Sequence, residues 1–225
     1  MAALVAMVLA TSTAVAAESK GSNQAAEKGK VTPAAEGVAQ LGLAGELATY
    51  GRETRNPMAL IVAAEMVAGA GAQDKARTKT TEGKGVAGAD KEAKPDLSTA
   101  ALLDEARGLA GQNAALLAAI DRVGASESKG RANGPGQVSE RVLAGDYDLY
   151  TVRFNGGEEA AVLVVGDGDT DLDLYVYDEN DNLVCDDTDS TDTMLCQWTP
   201  AWTGNFTVKI KNLGSVYNAY EMVTN

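Results

Sequence analysis

No histidine occurs anywhere in these 225 residues. Histidine is the usual general base at neutral pH and the commonest neutral metal ligand. Its absence excludes Ser-His-Asp and Cys-His catalysis, and it also excludes zinc sites of the histidine type. A carboxylate pair, which can hydrolyse glycosides without histidine, is one catalytic arrangement that this composition still permits.

Basic residues are scarce in the C-terminal part of the chain. Residues 137–225 contain 4 Lys or Arg and 17 Asp or Glu, so they carry the whole net charge of −13. Residues 18–136 contain 15 residues of each sign. A domain this acidic repels phosphates, which excludes nucleic acid as a partner. The asymmetry between the two parts predicts two structural units.

Long apolar runs are also missing, because nothing in the chain approaches the roughly 18 apolar residues of a membrane span. The start, MAALVAMVLATSTAVAAES, has an apolar run followed by small residues and Ala14-Val15-Ala16. This pattern predicts a signal peptide over residues 1–17, although no Lys or Arg precedes the run. The alternative is a short hydrophobic helix of a cytoplasmic protein. With the signal peptide, we expect a periplasmic or secreted protein.

Cysteine occurs twice, at Cys185 and Cys196. The two residues lie in strand-like runs, NLVC and MLCQW, which a polar loop connects. In a hairpin they would face each other across the ladder, within reach of a disulfide. A disulfide agrees with export, whereas two reduced and buried thiols are the alternative.

Patterning divides the chain into an α part followed by a β part. Residues 18–34 are polar and small, which predicts a flexible spacer. A 3.6-residue period over 35–124 predicts a helical domain of four helices in two hairpins, with a polar loop over 73–95. Residues 125–137 form a Gly/Ser linker. Residues 138–225 predict an antiparallel β-sandwich of jelly-roll-like type.

Capping residues and turns mark the elements within these units. Asn56 before Pro57, Ser98 and Asn113 predict three helix N-termini, and Gly111 and Gly124 predict two helix ends. After the linker the apolar period changes to two, which indicates strands. The predicted strands cover residues 138–144, 148–154, 160–166, 172–178, 182–186, 195–199, 205–212 and 219–224.

Three motifs of the β part resemble the bacterial pre-peptidase C-terminal domain family. They are GDTDLDLYVYDENDN, WTGNFTVKIKN and YNAYEMVTN, and the resemblance covers about residues 138–225. It implies a β-sandwich of exported bacterial proteins, usually appended to secreted peptidases, in which related modules adhere to substrate polymers and some bind calcium. This chain differs in that it carries no peptidase domain, and Phe206 stands where the family usually has tyrosine.

The acidic stretch GDGDTDLDLYVYD suggests a calcium site formed by Asp167, Asp169, Asp171 and Asp173. Calcium takes carboxylate and carbonyl oxygens, and neighbouring carboxylates repel unless something offsets their charge. The sixth position is Leu172, which excludes an EF-hand loop. The alternative is structural, because aspartate in turns accepts hydrogen bonds from nearby backbone N–H groups.

Trp198 and Trp202 flank the segment Thr-Pro-Ala. If exposed, they could stack on sugar rings or contact a protein partner; if buried, they belong to the core, which is the interpretation we favour.

These features together predict a non-catalytic exported protein that needs no cofactor. Its acidic β-sandwich would bind a macromolecule, either an envelope or extracellular protein or a polysaccharide, or would support a cell-envelope assembly. One alternative is a calcium-stabilised structural module without a ligand of its own. A second, weaker alternative is a carboxylate-based glycoside hydrolase.

Overall fold

The computed structural model describes residues 21–85, 97–126 and 133–225. The predicted signal peptide lies outside this range, as do residues 86–96 of the predicted polar loop and 127–132 of the predicted linker. Within the described part of the chain, no helix is both long and apolar enough to cross a membrane.

Four helices are present in the described residues, and side-chain caps set where they begin. Asn56 accepts hydrogen bonds from two backbone N–H groups of the following turn, and Ser98 and Asn113 cap the next two helices in the same way. The predicted N-caps are therefore confirmed, and Thr32 adds a fourth. The helices are α1 (Pro33–Glu53), α2 (Pro57–Ala70), α3 (Thr99–Ala110) and α4 (Ala114–Ser126).

Within the described ranges, ten strands form two sheets of five. The first sheet has the order β1-β3-β10-β5-β8, and the second has the order β2-β4-β9-β6-β7. All pairs are antiparallel except β1 with β3. The strands are β1 (Gln73–Asp74), β2 (Lys79–Glu82), β3 (Gly136–Val142), β4 (Tyr147–Phe154), β5 (Ala160–Gly166), β6 (Leu172–Tyr177), β7 (Leu183–Asp187), β8 (Thr193–Trp198), β9 (Gly204–Asn212) and β10 (Asn218–Thr224).

The inner faces of the two sheets enclose one hydrophobic core. Alternate residues of the longer strands point inward, as Leu172, Leu174 and Val176 do in β6, and they meet Val164 and Met222 of the other sheet. This packing agrees with the predicted helical part plus β-sandwich, while the jelly-roll-like connectivity stays a prediction.

The helices add a third layer on the outer face of the first sheet. Val38 and Leu41 of α1 pack against Ala161 and Leu163 of β5 and against Val223 of β10. As a result β5 is buried on both faces, which explains why its sequence AAVLVVG is apolar without alternation. The helical part and the sandwich therefore share a core.

The N-terminal segment differs from the predicted flexible spacer over 18–34. In its described part, the backbone N–H of Ala25 donates to the carbonyl of Thr199 at 2.7 Å, and that of Lys30 donates to Gly157 at 2.9 Å. The segment is held because the chain beside the ends of β5 and β8 offers free backbone acceptors, which composition does not reveal.

The polar loop predicted over 73–95 also differs from expectation, because it supplies β1 and β2. β1 joins the edge of the first sheet and β2 joins the edge of the second, where KTTE pairs with β4. The sequence of β2 is short and polar because most of this edge strand is exposed to solvent.

Candidate functional site

The outer face of the second sheet carries a group of aromatic side chains. Since Leu174 and Val176 face the core, Tyr175 and Tyr177 lie on the opposite side of β6. Their rings stack with centroids 6.5 Å apart and an interplanar angle of 23°. Tyr147 of β4 belongs to the same face, with Lys209 Nζ 4.1 Å from its ring centroid. We call this surface, defined by Tyr147, Tyr175, Tyr177 and Lys209, the tyrosine face.

Hydrogen bonds to carboxylates hold two of these rings. The Tyr175 hydroxyl donates to Asp173 Oδ2 at 2.8 Å, and the Tyr147 hydroxyl donates to Glu82 Oε2 at 2.5 Å. Desolvation, followed by the hydrogen bond to Asp173, raises the pKa of Tyr175 to about 12. Both hydroxyls are therefore neutral at physiological pH, and the rings are fixed before any ligand arrives.

The same face concentrates the positive charge of an acidic domain. Of the four basic residues in 137–225, Arg153 on β4 and Lys209 and Lys211 on β9 occupy outward positions between buried neighbours. The Lys209 ammonium also lies 6.0 Å from the Tyr175 ring, within cation–π range. Carboxylates that bond or pair with Tyr147 and Tyr175 lie on this side too, so positive and negative charges are mixed there.

The two tryptophans have different environments. Trp198 is 5% exposed and packs in the core against Phe154 and Phe206, with ring centroids 4.9 and 5.2 Å away. Trp202 is 43% exposed, its indole N–H donates to Glu179, and its backbone N–H donates to Asn23 at 3.0 Å. Trp202 is therefore the one of the pair that a ligand can reach.

The four aspartates of the suggested calcium site are bonded to the protein in several ways. Asp173 is only 5% exposed, although the sequence placed it on an acidic outer side. Asp167 accepts hydrogen bonds from the backbone N–H groups of Asp169 and Ala219, at 3.2 and 2.9 Å. Asp171 is exposed, and its backbone carbonyl accepts from Leu213. Protein donors thus offset the negative charge of Asp167 and Asp173.

No group of three or more His, Cys, Asp or Glu side chains is arranged to hold a metal ion within residues 21–85, 97–126 and 133–225. Calcium binding at the aspartates stays the alternative that the sequence suggested.

The predicted disulfide between Cys185 and Cys196 is confirmed, with a Cα–Cα distance of 5.8 Å. Its predicted setting is corrected. The two cysteines do not face each other across a hairpin ladder, because β7 belongs to the second sheet and β8 to the first. The bridge therefore joins the two sheets at one edge of the sandwich.

The opposite edge contains a polar cluster that sequence reasoning missed. We call it the edge cluster and define it by Lys79, Glu140, Asp148, Tyr150 and Tyr220. Asp148 is fully buried, and its Oδ2 accepts from the Tyr220 hydroxyl at 2.7 Å and from Lys79 Nζ at 3.1 Å. Lys79 Nζ also lies 2.9 Å from Glu140 Oε2, and the two tyrosine hydroxyls are 2.5 Å apart.

Burial raises the pKa of both tyrosines in the edge cluster. Desolvation raises the pKa of Tyr150 to about 12, and it also raises the pKa of Tyr220, with the hydrogen bond to Tyr150 adding to that increase. Both hydroxyls therefore act as neutral donors. The signal in the sequence was Asp148, which stands at a core position of the alternation in YDLYTVRF.

A cavity of about 510 Å³ lies between the helical layer and the first sheet. Its walls are mixed, with Leu41 and Leu163 among the apolar residues and Gln73 and Gln137 among the polar ones, and Glu221 is the one carboxylate among the described lining residues. Hydrolysis of a glycosidic bond uses two carboxyl groups flanking the bond. The described walls of this cavity do not provide that pair.

Comparison with known proteins assigns this chain to no family. No family model matches the chain, and no curated protein matches its sequence. The pre-peptidase C-terminal domain of a collagenase from Bacillus anthracis is 14% identical, with a TM-score of 0.36, over 40% of this chain and 87% of that one. PliG, a periplasmic inhibitor of g-type lysozyme from Aeromonas hydrophila, is 12% identical, with a TM-score of 0.32, over 40% of this chain and 84% of that one.

Proposed function

We propose that this chain is an exported, non-catalytic protein whose β-sandwich binds a macromolecule of the cell envelope through the tyrosine face. The observation that carries this proposal is the pair Tyr175 and Tyr177, whose rings stack on a sheet whose other side forms the core. Ordered aromatic rings bury a large area at little entropic cost when a partner binds. The disulfide supports export, since disulfides persist in oxidising compartments.

The chemistry of the face favours a sugar polymer over a protein. Tyrosine rings offer flat apolar surfaces for the C–H faces of sugars, and their hydroxyl oxygens can accept hydrogen bonds from sugar hydroxyls. Lys209 beside the rings and the exposed Trp202 near the end of the sheet add a cation and a second kind of ring. This conclusion agrees with the resemblance to modules that adhere to polymers.

The proposal is tested by cosedimentation with insoluble envelope polysaccharide and, in parallel, by capture on immobilised envelope protein. The test variant is Tyr175→Ala/Tyr177→Ala, and the matched control is Tyr50→Ala, because Tyr50 is 52% exposed on α1, outside the tyrosine face. We expect the double variant to lose at least about tenfold in affinity for the polysaccharide, since two ring contacts disappear.

The control should bind as the wild type does, and circular dichroism should show both variants folded. Equal binding by the wild type and the double variant would contradict the assignment of the face. Loss of binding to protein alone, with no binding to polysaccharide, would replace the sugar polymer with a protein partner.

A further inference from the structure

The edge cluster brings the amine of Lys79 together with two carboxyl groups, those of Asp148 and Glu140. Lys79 on β2 and Asp148 on β4 lie on neighbouring strands of the second sheet, while Glu140 comes from β3 of the first sheet. Lys79 Nζ lies 3.1 Å from Asp148 Oδ2 and 2.9 Å from Glu140 Oε2. The amine is therefore in contact with both carboxyl groups.

We propose that Lys79 and Asp148 condense into an intramolecular amide bond, with Glu140 carrying the protons. This activity is independent of the proposed binding function. It would form a covalent link between β2 and β4 at the edge opposite the Cys185–Cys196 bridge.

The atoms of the reaction balance without any further reagent. Glu140 accepts a proton from Lys79 Nζ, and the freed lone pair attacks Asp148 Cγ to form the C–N bond. Glu140 relays two of the three Nζ protons, in succession, to one carboxyl oxygen of Asp148. The C–O bond then breaks, that oxygen leaves as water, and the third proton stays on the amide nitrogen.

The surroundings of Asp148 suit this chemistry. The Tyr220 hydroxyl donates to Oδ2 at 2.7 Å, and the Thr81 hydroxyl donates to Oδ1. Two fixed donors on the carboxyl oxygens stabilise the negative charge that develops during attack at the carbon. Asp148 is fully buried, so condensation removes a charged pair from a site where desolvation is costly.

The bond would stabilise a strand at the edge of the sheet. β2 has four residues, its burial pattern is largely exposed, and it forms the edge of the second sheet. A short edge strand is readily displaced, which exposes the backbone groups of its neighbour. A covalent link between Lys79 and Asp148 would keep β2 in place.

Mass spectrometry of the purified, reduced full chain tests the proposal. We expect the intact mass to fall short of the sequence mass by one water, and a tryptic map should contain one branched peptide that joins Lys79 to Asp148. Lys79→Arg and Glu140→Gln should each retain the full mass. Both variants should melt lower than the wild type by roughly 10 °C, as expected for loss of a link that closes a long loop.

The unlinked mass in the wild type, with Lys79 and Asp148 in separate peptides, would overturn the proposal. Loss of water that persists in Lys79→Arg would also overturn it, because the dehydration would then lie elsewhere. A branched peptide that persists in Glu140→Gln would overturn the proton-carrying role of Glu140. Circular dichroism of Glu140→Gln establishes that the variant is folded, so that a missing link reports on chemistry.

Discussion

Asp178 shows how one acidic residue can connect distant parts of this chain. It is 2% exposed, and its carboxylate accepts hydrogen bonds from the backbone N–H groups of Asn23, Asn180 and Asn182, at 2.7, 2.8 and 2.9 Å. Burial by itself pushes the pKa of Asp178 up, but the hydrogen bonds from the Asn182 side chain and from these N–H groups outweigh it and lower the pKa. The β6–β7 turn and the N-terminal segment thus depend on the charged form.

We expect Asp178→Ala to lower the free energy of unfolding at pH 7 by about 2–4 kcal/mol, because several buried donors lose a charged acceptor. The folded-state pKa lies below the unfolded value, so this stabilisation is fully present above about pH 4 and is lost as the pH falls through the folded pKa. Urea unfolding at pH 7 and pH 3 measures the effect.

The difference between the wild type and Asp178→Ala should therefore shrink at pH 3. Asp186→Ala, an exposed position on the neighbouring strand β7, serves as the control and should change stability little at either pH. An equal difference between Asp178→Ala and the wild type at both pH values would contradict the role given to the carboxylate.

Single residues were the least predictable part of the site. The alternation of β6 correctly placed its leucines in the core, but it also placed Asp173 on an acidic outer side, where the structure buries it beneath Tyr175. Asp148 shows the reverse pattern, since it is a charged residue at an inward position. A period of two predicts which face of the sheet a residue lies on. It does not predict the hydrogen-bond partners that offset the cost of burying a charge.

At the level of elements, close packing between α1 and α2 depends on small residues. A Cβ atom at Gly51 would lie 2.8 Å from Leu60 Cδ2 and 3.3 Å from the Cβ of Ala59. Leu60 is fully buried, so it has little room to move. Glycine at this position therefore sets how near the two helices approach.

We predict that Gly51→Ala destabilises the chain by about 1–3 kcal/mol through overpacking. Gly108→Ala is the matched control, since it is also in a helix and a Cβ there would have no neighbouring atom within 4 Å. The control should raise stability by about 0.5–1 kcal/mol, because alanine is the better helix former. Thermal and urea unfolding measure both, and destabilisation of equal size in the two variants would refute the packing argument.

Elements with a strong local signal could be predicted from the sequence, and those defined by distant partners could not. The helix N-caps and the eight strands after residue 136 follow from capping residues and a period of two. β1 and β2 could not be predicted from the sequence, because short polar edge strands resemble loops until the sheet that they join is known. The run AAVLVVG in β5 did contain a signal for burial on both faces, and hence for a covering layer of helices.

For the whole molecule, the inter-sheet disulfide is expected to be a main source of stability. It joins the edge strands β7 and β8 of two different sheets. We expect Cys185→Ser/Cys196→Ser to lose about 2–4 kcal/mol of unfolding free energy, as for other short closed loops. Guanidinium unfolding with and without reductant measures this, and reductant should leave the double variant unchanged. Equal stability of the wild type and the double variant would contradict the expectation.

The acidity of the sandwich provides a test of the calcium-stabilised alternative. Because backbone and hydroxyl donors already bond Asp167 and Asp173, we expect the same melting temperature in excess calcium and in chelator. Calorimetry under both conditions measures it. A melting temperature that rises with calcium, and that no longer does so in Asp169→Asn/Asp171→Asn, would instead support the calcium-stabilised module.

The proposed function requires the tyrosine face to be the surface that contacts the envelope polymer. Hydroxyl-radical footprinting of the folded wild type, with and without insoluble envelope polysaccharide, tests it most directly because it needs no variant. We expect Tyr147, Tyr175 and Tyr177 to be protected several-fold when the polymer is present, while the exposed Tyr50 on α1 reacts equally in both states. Protection of Tyr50 with no change at Tyr175 and Tyr177 would contradict it.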